Sequence, residues 1–94
     1  MRVVWSPEAI ADMDTAIEYL GERNPEAAER LARGIVAVVE RLASDPVEGP
    51  EHVLRNGERV RGWPHRPFRI YYQRRSDALV MLRVYHQRRM PIVR

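Results

Sequence analysis

The chain has 94 residues, 45% of them hydrophobic, enough for one compact domain and too few for two, since domains run from about 50 to about 250 residues. It contains neither cysteine nor lysine, all sixteen basic residues being arginine; this excludes disulfides, thiolate metal ligands, thiol nucleophiles and any tunable ammonium for acid–base work. The net charge of +3 conceals five arginines against ten acids in residues 1–50 and eleven against three in residues 51–94, so the two halves either face each other or face different partners.

In chain order, MRVVW opens with a β-prone apolar run and predicts a first strand. Ser6-Pro7-Glu8 is a helix start: a hydroxyl to cap free N–H groups, a proline at the first helical position and an acid near the positive end of the dipole. This charged break leaves no signal-peptide core, and no apolar run approaches the about 20 residues that span a bilayer. The expectation is a soluble, cytoplasmic protein without a membrane partner. Ile10, Met13, Ile17 and Leu20 form one apolar stripe, and Gly21 suits the turn that ends the helix. Asn24-Pro25-Glu26 repeats the start signal, and Ala28, Leu31, Ile35, Val38 and Leu42 carry a second helix to about Ala43, where Asp45-Pro46 forbids continuation. So short a link makes the two helices an antiparallel hairpin.

After SDPVEGPEH, read as a loop, the hydrophobic period changes to two. Asn56-Gly57 signals a turn, ERVRGW a strand, and Pro64 with Pro67 brackets a connection. In FRIYYQ, Phe68, Ile70 and Tyr72 share one face while Arg69, Tyr71 and Gln73 share the other; RSDA is a tight turn. LVMLRVYH splits into Val80, Leu82 and Val84 against Leu79, Met81, Arg83 and Tyr85. If the all-aliphatic face meets the helices, parity gathers Arg69, Tyr71, Arg83 and Tyr85 on the far side of the sheet. The order β-α-α-β-β-β predicts an α+β fold, an antiparallel helical hairpin packed on a small antiparallel sheet. With no repeat or linker, residues 1–94 read as a single domain.

Ser6, Thr15, Ser44 and Ser76 sit at caps, turns or a helix, and none reads as an activated nucleophile. His52, His65 and His86 are far apart in sequence, and no Gly-rich phosphate loop is present, so neither a metal nor a cofactor is expected. What stands out is arginine interleaved with aromatic and histidine residues: Arg59, Arg61, Trp63, His65, Arg66, Arg69, Tyr71, Arg83, Tyr85, His86, Arg88 and Arg89. Such a mixture neutralises phosphates and stacks bases, or docks an acidic protein segment. His86 is the one candidate for proton transfer, an imidazole being the group that titrates near neutrality.

In this order and spacing VVWSPEAIADMDTAIEYL, the helix from NPEAAERL to RLASDP, the strand RPFRIYYQ and the close LVMLRVYHQRR resemble the RelE/ParE superfamily of bacterial type II toxins. The resemblance implies the β-α-α-β-β-β fold and a toxin held inactive in a hetero-oligomer by a cognate antitoxin, whose segment would fold on binding; Arg61, Trp63, Arg66, Arg69 and Arg83 are the antitoxin contacts it suggests. RelE-like members are ribosome-dependent mRNA endoribonucleases, whereas ParE-like members inhibit DNA gyrase. With no lysine, and no tyrosine after Arg88-Arg89, the close R-V-Y-H-Q-R-R looks more like the ParE form. That form implies no catalytic residue, with Arg69, Tyr71, Arg83, Tyr85, His86, Arg88 and Arg89 meeting the target and plasmid stabilisation as a usual role. Two alternatives stay open: a ribonuclease with His86, Arg83 and Arg69 as its catalytic group, and a non-toxic protein-interaction module.

Overall fold

Both predicted helix starts are realised. The computed structural model describes residues 1–45, 47–54 and 56–86; Arg88 and Arg89 lie outside these described residues. Helix α1 spans Pro7–Arg23 and α2 spans Pro25–Ser44. The Ser6 hydroxyl accepts from the Ala9 N–H at 3.0 Å, and the Asn24 side chain from the Ala27 N–H at 3.1 Å. Gly21 does not end α1, which runs on to Arg23. Asn24 closes α1 by donating its own N–H to the Leu20 carbonyl and opens α2 with its side chain. One capping residue therefore serves two helix ends, and Gly21 instead lies within reach of Ala28 on α2. No described helix is long and apolar enough to cross a membrane.

The strands are β1 (Arg2–Trp5), β2 (Glu51–Val53), β3 (Arg59–His65), β4 (Phe68–Arg74) and β5 (Ala78–His86). They form one sheet in the order β1-β5-β4-β3-β2. Two expectations need correction. The sheet is mixed, not antiparallel throughout: β1 runs parallel to β5, with Arg2 opposite Ala78 and Trp5 opposite Met81. The helical hairpin and strands β2–β4 lie between the two in the chain, the long connection that a parallel pairing requires. The stretch read as a loop also ends in a strand, β2, antiparallel to β3 and too short to display any alternation. At the turn before β3, Gly57 adopts φ +87°, the left-handed region that glycine favours.

The third correction concerns the faces of β5. Tyr71 lies opposite Arg83 but Tyr72 lies opposite Met81, so Leu82 bulges out of register. One inserted residue resets the parity of everything beyond it. Leu79, Met81 and Val84 consequently join Phe68, Ile70 and Tyr72 in the core beneath α1 and α2, with Ala9, Leu31, Ile35, Val39 and Leu42. The predicted aliphatic set of Val80, Leu82 and Val84 is broken, and Leu82 packs on the other side. Helix α2 buries its stripe well; α1 does so only in part, leaving Ile10 49% exposed.

Candidate functional site

A second, smaller cluster contains no helix residue: Val60 and Tyr71, with Leu54, Leu82 and Tyr85 against them. It belongs to the sheet face that the helices leave uncovered. Here the predicted foursome meets as two neighbouring cross-strand pairs, Arg69 opposite Tyr85 and Tyr71 opposite Arg83. The rings engage one another edge to face, His52 with Tyr71 at 5.6 Å and Tyr71 with Tyr85 at 6.1 Å between centroids. Such contacts use the ring quadrupoles and leave Tyr71 only 7% exposed, so it offers little surface for stacking a base.

Burial pushes the Tyr71 hydroxyl above its ordinary value, against a weaker opposing pull from Arg69. A raised folded-state value means that this phenol's contribution to stability is intact below the unfolded value of about 10 and is lost as pH rises through the folded one. Tyr71→Phe should therefore be the more alkali-resistant protein. Thermal melts of both chains from neutral pH to above pH 10 would measure the difference, which should vanish at neutral pH; parallel loss in alkali would contradict it.

The other predicted residues are dispersed. His86 lies opposite Phe68, ring centroids 5.4 Å apart, on the helix side and across the sheet from Arg69 and Tyr85. Arg61 and Trp63 pair with Tyr72 and Ile70, both core residues. Arg61 donates to the Gly49 carbonyl at 2.8 Å and pairs with Glu48, while the Arg41 guanidinium lies 5.8 Å from the Trp63 ring. Arg66 is exposed in the β3–β4 turn. The five suggested antitoxin contacts thus do not form one patch.

Arg83 is held from within. Its Nε and Nη2 donate to the Asp12 carboxylate at 2.9 and 3.0 Å, and the Val84 N–H donates to the same carboxylate at 2.9 Å. The hydrogen bonds to Asp12 raise the Arg83 value further. Glu48 likewise takes Arg61 and Arg74. The opposite charges of the two halves are therefore partly spent on each other, and Arg69 makes no ion pair among the described residues. Asp12 carries no sequence signal for this role, because its partner is 71 positions away.

This helical hairpin on a mixed five-stranded sheet is the fold of a solved chain described as "Chromosomal ParDE TA system from P. aeruginosa", with TM-score 0.76 and 22% identity, covering 92% of this chain and 95% of that one. At that identity the likeness is one of fold. The family follows from the sequence itself: the profile of the ParE toxin of type II toxin-antitoxin system, parDE, matches residues 3–91, and the chain belongs to that family. It is a toxin component of the type II class and stands in the ParE branch of the RelE/ParE superfamily. Among curated proteins, none matches the sequence at a significant level.

Proposed function

We propose that the chain is a ParE-type toxin that inhibits DNA gyrase by binding it, carries out no chemistry of its own, and is neutralised in the cytoplasm by a cognate antitoxin. The observation that carries this reading is the separation of the acid–base candidate from the cations. Cleavage by a 2′-hydroxyl needs a base, an acid and a phosphate-binding charge converging on one phosphate. Here His86 shares a face with Phe68, Arg69 stands across the sheet from it, and Arg83 is engaged by Asp12. The family's description supports the toxin role.

Titration of the purified chain into a gyrase supercoiling assay is expected to abolish supercoiling and accumulate cleaved DNA, with His86→Ala equally active. Unaltered supercoiling at concentrations that arrest growth would overturn the reading. Loss of toxicity in His86→Ala, with antitoxin binding retained, would favour ribosome-dependent mRNA cleavage instead.

A further inference from the structure

We infer that Asp12 is a positioning residue for the target-binding face, acting through Arg83 to set Tyr85, and that Arg69 rather than Arg83 is the cation this face presents to the target. The inference rests on the toxin reading above. It begins at the bulge, which takes Leu82 out of register with β4 and so disturbs the ladder on either side. The start of α1 braces this stretch of β5 from the side away from β4, at two points. The Ser6 N–H donates to the Met81 carbonyl at 2.9 Å, and the Ser6 hydroxyl to the Leu82 carbonyl at 2.9 Å. One turn and a half further on, Asp12 accepts the Val84 N–H.

The same carboxylate takes both Nε and Nη2 along one edge of the Arg83 guanidinium. With only 16% of its side chain exposed, Asp12 needs all three donors, because a carboxylate drawn out of water must be paired and hydrogen-bonded. Arg83, fixed in this way, lies with its guanidinium carbon 4.2 Å from the centre of the Tyr85 ring. Tyr85 in turn meets the edge of Tyr71 and stands opposite Arg69. A carboxylate on the first helix thereby orients the half-buried end of β5 without belonging to the sheet.

The test uses Asp12→Ala, Asp12→Asn, Arg83→Met and Arg69→Ala in the full chain, with supercoiling inhibition, antitoxin binding and NMR of the Tyr85 ring as readouts. Asparagine keeps an acceptor for the Val84 N–H and removes the charge that holds Arg83. We expect Asp12→Ala and Arg83→Met each to weaken inhibition by about ten-fold, and their double variant to be no worse than either, as coupled residues behave. Arg69→Ala should multiply with either loss. Tyr85 ring resonances should move in both Asp12 variants and in Arg83→Met. Antitoxin binding should change less than inhibition does.

Undiminished inhibition by Asp12→Asn with unmoved Tyr85 resonances overturns the inference, and remains decisive if Asp12→Ala fails to fold. So does a double variant whose loss is the product of the singles. A wild-type chain that leaves supercoiling intact overturns the gyrase reading alone; growth arrest in cells then replaces supercoiling as the readout for the same variants. A wild-type chain that does neither overturns both.

Discussion

Gly49→Ala is expected to be among the most damaging single substitutions in the chain. Gly49 is buried in the connection between α2 and β2. A Cβ there would stand 1.8 Å from the Gly62 carbonyl oxygen and 2.8 Å from its carbon. Both atoms are backbone of β3, and Gly62 is itself tied down by its N–H to the Pro50 carbonyl at 3.0 Å. No rotamer relieves such a clash, so the connection must lift away. Lifting it breaks the hydrogen bond from the Gly49 N–H to the Tyr72 hydroxyl, 2.8 Å long and buried, and the one from Arg61 to the Gly49 carbonyl. Overpacking combined with an orphaned buried hydroxyl should remove about 3 kcal/mol or more. For a domain of this size that lowers Tm by about 10–25 °C. Thermal denaturation followed by circular dichroism measures it, and a melt within a few degrees of wild type would refute the close approach.

The second large effect is expected at Arg74. Helix α2 ends with carbonyl groups that have no partner inside the helix, and the sheet supplies one. Arg74 on β4 donates to the Leu42 carbonyl at 2.8 Å, to the Val47 carbonyl at 3.0 Å and to the Glu48 carboxylate at 3.2 Å. Its charge also opposes the negative end of the helix dipole. With 23% of the side chain exposed, screening is partial, and Arg74→Ala should lose about 2 kcal/mol. Arg74→Lys should recover only a minor share, since a compact ammonium cannot match three acceptors that a planar fork reaches together. Urea unfolding is the measurement: the midpoint should fall while the slope stays the same. A lysine variant as stable as wild type would show that charge alone suffices.

The helices were legible because their signals are local. Ser6-Pro7-Glu8 and Asn24-Pro25-Glu26 act within four residues, and both caps are where the sequence puts them. The strand faces were legible as far as the alternation was clean, which is why Phe68, Ile70 and Tyr72 fall in the core. In β5 apolar residues occupy both parities, so nothing in the pattern announces a one-residue bulge; the expected faces hold after it, at Arg83, Val84 and Tyr85, and are inverted before it, where Leu79 and Met81 enter the core. Tyr85 and His86 are both expected among the target contacts, yet as neighbours on a strand they point to opposite sides of the sheet. The internal use of Arg61, Arg74 and Arg83 was equally invisible, because Glu48 and Asp12 are 13, 26 and 71 positions from them.

The parallel pairing of β1 with β5 also has a kinetic side. The last of the described strands, β5, lies between the first, β1, and β4, and such distant contacts form only after a large loop has closed. Until Ala78–His86 has emerged, β1 has no neighbour, and Ser6 and Asp12 lack the backbone groups they bind. Nascent or prematurely ended chains therefore expose an unfinished sheet, open to proteolysis and to aggregation.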